Sequence, residues 1–220
     1  MGGGSGAHAE WLAADGYTVD LVDPVPLHVA QAARLPGVTA RSGDARDLPA
    51  AAAYDVVLLL GPLHHLPERP DRVRAPAEAR RAVRPGGVVV AATVDRYAAL
   101  HDLLHEERCF EPVRRGVADA VSEDGRPASQ RDGSLFTTAS LARPAETPAE
   151  FAEAGPAVDG RYGVEGVARL MGGVEEWLAD PGRRAAVLAA TRRIESEPSL
   201  LDAGGHLLTA GRPVAWVSVA

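Results

Sequence analysis

The sequence predicts an α/β fold: a doubly wound, mostly parallel sheet with a helical insertion in its second half. Three observations lead there. Short apolar runs alternate with helical patterns over the first 100 residues, and such alternation builds βα units around a parallel sheet. Two of the runs, Tyr54–Leu60 (YDVVLLL) and Val88–Val94 (VVVAATV), are almost unbroken, as strands covered on both faces must be. The length, 220 residues, is that of one domain.

The elements follow in order. A helix is expected over Ala7–Asp15, capped by Gly16, and a strand over Tyr17–Val22. A helix over Pro26–Leu35 leads to a second strand at Val38–Arg41. Between the two long apolar runs lies a helix over Arg69–Val83, its start blurred by Pro70 and Pro76. After Asp95 the pattern changes. Helices are expected over Arg96–Arg108 and Val113–Glu123, a polar loop over Ser122–Ser134 and a short helix over Pro148–Ala154. Val167–Leu178 and Gly182–Glu197 read as helices, and Val158–Val164, His206–Ala210 and Val214–Val219 as strands. Residues 96–140 form the expected insertion, or lid, within a single domain of residues 1–220.

Composition narrows the function. Hydrophobic residues make up 46% and charged residues 24%, which fits a folded soluble chain. No run of 18 apolar residues occurs and no charged-then-apolar leader opens the sequence, so neither a membrane span nor a secretory signal is expected. Cys109 is the single cysteine, which excludes an intrachain disulfide and a multi-cysteine zinc site. The formal charge is −7, and every basic residue is arginine. Lysine and asparagine, whose codons are AT-rich, are both missing, as GC-rich coding produces. An acidic chain with scattered arginines has no nucleic-acid footprint. The expected setting is the cytoplasm and the expected partner a small molecule.

The opening Met1-Gly2-Gly3-Gly4-Ser5-Gly6 runs directly into the first helix. Glycines reach positive φ and let backbone approach a ligand, and the helix start behind them offers free N–H groups. A flexible tail has the same composition. Asp23, followed by Pro24, ends the next strand 17 residues after Gly6, where a carboxylate can receive ribose hydroxyls. Gly2, Gly4 and Ala7 also satisfy G-x-G-x-x-G/A. The opening therefore suits two nucleoside cofactors, NAD and S-adenosylmethionine.

Three further motifs follow their strands in order: Gly43-Asp44-Ala45-Arg46-Asp47-Leu48, Gly61-Pro62-Leu63-His64-His65-Leu66 and, before a strand, Arg84-Pro85-Gly86-Gly87. With the glycine-rich opening, this ordered set resembles the class I S-adenosylmethionine-dependent methyltransferases, the small bacterial members above all, over residues 2 to about 95. The resemblance implies a Rossmann-like fold, S-adenosyl-L-methionine as cofactor and a small organic methyl acceptor. It implies that Gly2, Gly3, Gly4 and Gly6 pass beneath the methionine part and that Asp23, with Pro24 beside it, holds the ribose. Asp44 and the Ala45 amide would meet the adenine, and Gly61 and Leu63 would lie beside the sulfonium. Gly86-Gly87 would be structural. Members of the family carry an apolar strand ending in an acidic residue just before the glycines; Met1 stands one residue before Gly2. The central strand is thus expected to be missing from this sequence, with a native start upstream of Met1 as the favoured explanation.

Methyl transfer from a sulfonium asks mainly for alignment and exclusion of water; a base is needed only where the acceptor must lose a proton. His65, then His64, are the candidates, just past the Tyr54–Leu60 strand, although the family often has an aromatic residue where His64 stands. His101 and His105, spaced i, i+4, share a helix face, but no third ligand follows and no metal is expected. Tyr97, Phe110, Leu135 and Phe136 are candidate walls of an acceptor pocket, Trp11 and Trp177 core residues, Cys109 inert, and Arg183, Arg184, Arg192 and Arg193 a solvated helix surface. The alternatives are an NAD-linked oxidoreductase, which the Asp44 and Gly61 motifs disfavour, and a binding protein that keeps the fold without transferring a methyl group.

Overall fold

The computed structural model describes residues 1–49, 51–106, 108–126 and 139–213. The first half is a run of βα units: α1 (Ala7–Ala14), β1 (Val19–Asp23), α2 (Pro26–Ala32), β2 (Val38–Ser42), β3 (Tyr54–Leu59), α3 (Arg69–Ala82) and β4 (Val83–Val94). Then come α4 (Ala98–His105), α5 (Pro112–Asp124), α6 (Glu146–Ala154), β5 (Pro156–Gly163), α7 (Val174–Ala179), α8 (Pro181–Arg192) and β6 (His206–Pro213).

β1 pairs parallel with β2, and β3 parallel with β4. β6 runs antiparallel between β4 and β5, giving the order β3-β4-β6-β5. β1–β2 and the four-stranded piece are separate hydrogen-bonded sheets. Among the described residues, no strand pairs between β1 and β3. Two small devices tie the pieces together. At the carboxyl edge the Met1 amine donates to the Leu58 carbonyl at 2.8 Å and the Gly2 N–H to the Val22 carbonyl at 2.9 Å. At the opposite edge the Tyr54 hydroxyl of β3 donates to Asp20 of β1 and accepts from Arg41 of β2, each at 2.7 Å.

The main core lies under the four-stranded piece. Leu59, Leu63, Val89 and Ala91 meet Ala75, Ala79 and Ala82 of α3, and Phe151 of α6 closes the cluster. The small α3 face lets the helix approach the strands closely. Burying Phe151 completely contributes about 2–3 kcal/mol. Pro70 sits in the first turn of α3, and Pro76 inside it is buried, so the Arg72 carbonyl lacks its usual donor four residues on.

Several expectations need correction. The helix expected over Val167–Leu178 is a short 3₁₀ segment, Gly166–Leu170, followed by α7. Gly172 and Gly173 break it, the latter at φ 76°, where glycine escapes the Cβ penalty. The expected loop from Ser122 begins later, since α5 continues to Asp124 and Gly125 caps it at φ 74°. A 3₁₀ segment over Pro198–Ala203 had no sequence signal that we used. Trp11 is 52% exposed, so it is not core, and Trp177 is only half-buried. Both sit on short helices with one turn of apolar contact to offer. The Val214–Val219 strand expectation lies outside the described residues.

One arginine links the segments that follow β4. Arg96, 8% exposed, follows β4 and donates to the carbonyls of Leu141 and Glu123 and to both Glu146 oxygens at 2.8 and 2.9 Å.

Candidate cofactor and acceptor site

The glycine-rich turn is built against both pieces of the sheet. A Cβ on Gly2 would stand 2.9 Å from Pro62 Cδ, and one on Gly3 would stand 2.5 Å from Leu21 Cγ. One on Gly6 would strike Leu35. Gly4, at φ 56°, has nothing within 4 Å of its Cβ position, so there the turn opens outward. Gly6, at φ 102°, then starts α1, whose Glu10 N–H bonds to the Gly6 carbonyl at 2.8 Å.

Asp23 organises this turn. It is 4% exposed and ends β1. One carboxylate oxygen accepts the Gly4 N–H at 2.9 Å. The other accepts the Val25 N–H at 2.9 Å and faces His28 Nδ1 at 3.1 Å. Burial pushes its pKa up, but the Val25 and Gly4 amides and His28 outweigh that and hold it below the usual carboxylate range. Pro24 is exposed and only turns the chain. The sequence reading missed His28; its i+5 spacing from Asp23, in the first turn of α2, was the available signal.

Gly61 packs its Cα against the Gly2 carbonyl, with a Cβ position 3.2 Å from that oxygen. The β3 tip and the glycine turn therefore meet. Leu63 is fully buried, so only its main chain is available to a ligand. Asp44 and Ala45 depart further from the expectation. The Arg46 guanidinium holds Asp44 at 2.6 and 2.9 Å and also bonds Asp71 at 2.8 Å. Arg46 thereby lowers the Asp44 pKa. The Ala45 methyl is in the core. Both Asp44 oxygens are thus already taken up by Arg46.

His64 and His65 form a turn directly after β3, rings 4.3 Å apart. His64 is half-buried, and desolvation, helped by His65 and His206, lowers its pKa to about 4. It is neutral at neutral pH and a weak base. His65 is exposed. Of the expected pocket walls, Tyr97 is half-buried, whereas Phe110 is 86% exposed and lines nothing. Leu135 and Phe136 lie outside the described residues. No group of three or more His, Cys, Asp or Glu among the described residues could hold a metal.

Two acidic features were not anticipated. Asp95, directly after β4, is fully buried and accepts the Tyr97 N–H at 2.8 Å. Desolvation, together with Asp202, raises its pKa to about 8. Glu165 bonds His206 at the start of β6. A 480 Å³ cavity lies among Arg69, Arg72, Arg96, Glu146 and Glu150. Its arginines are largely matched to glutamates, as in Arg72–Glu150 at 2.9 Å.

Residues 1–91 match the family model described as "Methyltransferase domain". Over that segment the chain is similar to methyltransferase domains. Solved structures extend the likeness in fold beyond the matched segment. An S-adenosylmethionine-dependent methyltransferase from Methanosarcina mazei is 17% identical, with a TM-score of 0.62 over 97% of this chain and 90% of that one. One from Mesorhizobium loti is 18% identical, with a TM-score of 0.60 over 96% and 88%. A putative methyltransferase from Haloferax volcanii, solved in complex with a methyltransferase activator, is 19% identical, with a TM-score of 0.59 over 97% and 80%. The Methanosarcina and Mesorhizobium proteins are described as dependent on S-adenosylmethionine. The glycine turn leaves room for that compound: the Cβ position of Gly4 meets open space, and the buried Asp23 carboxylate is aimed into the same turn. No helix among the described residues is long and apolar enough to cross a membrane.

Proposed function

We propose that this protein transfers the methyl group of S-adenosylmethionine to a small organic acceptor at the carboxyl edge of β3 and β4. The observation that carries this is Asp23: a buried, ionised carboxylate that pins Gly4 while His28, with 41% of its side chain exposed, occupies one lobe. Ribose hydroxyls can take that lobe. When bound, the cofactor supplies a methyl group already activated on a sulfonium. The chain's own work is then to bind, align and exclude water. Gly2 and Gly61 bring the glycine turn to the β3 tip, and Gly4 presents backbone. Asp23 fixes the turn and is poised for the ribose. His64 and His65 border the space beyond Gly61 from the β3 side. The acceptor is a small molecule; the acidic surface and dispersed arginines favour no nucleic acid, and the cytoplasm remains the setting we assign.

Calorimetric titration tests this. S-adenosylhomocysteine should bind and NAD should not. Asp23→Ala should weaken S-adenosylhomocysteine at least about tenfold, the loss of roughly 1.5–3 kcal/mol that a charged hydrogen-bonding partner represents. NAD binding alone would favour an oxidoreductase; a folded sample that binds neither would favour a fold-retaining binding protein.

A further inference from the structure

A third histidine stands on the edge of the sheet that carries His64. His206 opens β6 and pairs with Val94, the last residue of β4. Because β6 runs antiparallel to β4, the start of β6 lies at the carboxyl edge, where β3 delivers Gly61 and His64. The Val164 N–H bonds to the His206 carbonyl at 3.0 Å and the Asp95 N–H to the Gly205 carbonyl at 2.9 Å, so its backbone is fixed from both sides.

The ring is fixed as well. His206 Nδ1 lies 2.6 Å from Glu165 Oε1. The other Glu165 oxygen accepts the Gly205 and His206 N–H groups, each at 2.9 Å. Arg169 flanks Glu165 at 4.0 Å and also pairs with Asp102 of α4. A carboxylate on Nδ1 keeps the proton there and leaves the Nε2 lone pair pointing away from it. Nε2 carries no hydrogen bond to any described residue, and 46% of the side chain is exposed. The charged and titratable groups around this ring are Glu165, Arg169, Asp102 and, across the edge, His64. The Glu165 hydrogen bond raises the His206 pKa, which makes it a stronger base than His64.

We propose that His206, oriented by Glu165, is the general base of the transfer, and that the acceptor is a small molecule whose attacking oxygen or nitrogen carries a proton. This rests on the methyl-transfer reading above. Nε2 takes the proton from the acceptor O–H or N–H. The freed electron pair bonds to the methyl carbon, and the carbon–sulfur pair returns to sulfur, leaving a neutral thioether and an imidazolium.

Histidine-labelled protein followed by NMR tests the assignment without an acceptor. His206→Gln identifies the His206 resonances by their loss. In the free protein the ring should show the Nδ1–H tautomer, and Glu165→Gln should lower its pKa by about one unit. Bound S-adenosylmethionine, with its sulfonium charge, should lower the His206 pKa by about half a unit more than S-adenosylhomocysteine does. Equal values with both ligands bound would overturn the proposal and leave the methyl-transfer reading intact. An unchanged pKa in Glu165→Gln would overturn the orienting role. Failure of both ligands to bind, measured by calorimetry on the same sample, would overturn the methyl-transfer reading, and the proposal with it.

Discussion

At the scale of single residues, the site depends on carboxylates whose surroundings push them in opposite directions. Asp23 is buried yet ionised because two backbone amides and His28 face it. Asp95 is buried beside Asp202 and held protonated, with a pKa near 8. A carboxyl whose folded pKa exceeds its unfolded value loses stability as pH rises between the two. Below about 4 both states hold the proton and there is no cost; above about 8 the cost is complete. Asp95→Asn keeps the acceptor for Tyr97 and supplies an N–H toward Asp202. It should therefore raise the melting temperature at pH 7.5 and raise it much less at pH 4. An equal gain at both values, read by thermal unfolding, would mean that Asp95 is not held protonated. The sequence singled out Asp23, Gly2, Gly4, Gly6 and Gly61 because they stand in short local motifs whose order along the chain can be read directly. It did not show Asp95–Asp202 or Glu165–His206. Those partners lie 107 and 41 positions apart, and no local pattern marks them.

Among elements, the two pieces of sheet differ in support. β4 is paired with β3 over Val88–Ala91 and with β6 over Val89–Val94. Among the described residues β1 pairs only with β2, and its core is the small cluster of Ala9, Leu21 and Ala32. Exposed hydrogen bonds and few buried apolar contacts mark segments that open locally at low free energy. Backbone amides of β1 and β2 should exchange with solvent about tenfold or more faster than those of β4 and β6, a difference of roughly 1.4 kcal/mol in opening. Native-state hydrogen exchange reads this directly, and equal protection would contradict it. The element reading from sequence succeeded at β3, where the apolar run is nearly continuous, and at α3, which fills the space between two such runs. It failed at Val167–Leu178, where two glycines in the middle outweighed the helical spacing on either side.

For the whole molecule, ligand binding should join what the strands leave apart. The glycine turn touches β1 through Asp23 and Val22 and β3 through Leu58, Gly61 and Pro62. A ligand seated on that turn stabilises the folded state by about 2.7 kcal/mol at a concentration 100 times its Kd. Saturating S-adenosylhomocysteine should raise the melting temperature by several degrees and slow exchange in β1 and β2 more than in β5. A rise in melting temperature with no change in β1–β2 exchange would locate the ligand elsewhere. Fold class, the order of the βα units and the glycine-and-aspartate cradle were written locally, in hydrophobic period and turn chemistry, and so could be read along the chain. The split sheet, the contacts of Arg96 with Leu141 and Glu146, the pairing of Arg46 with Asp71 and the meeting of His206 with Glu165 each depend on segments that fold brings together. Sequence spacing carries no distance information for such pairs, and burial, which sets their charge states, exists only once the chain has packed.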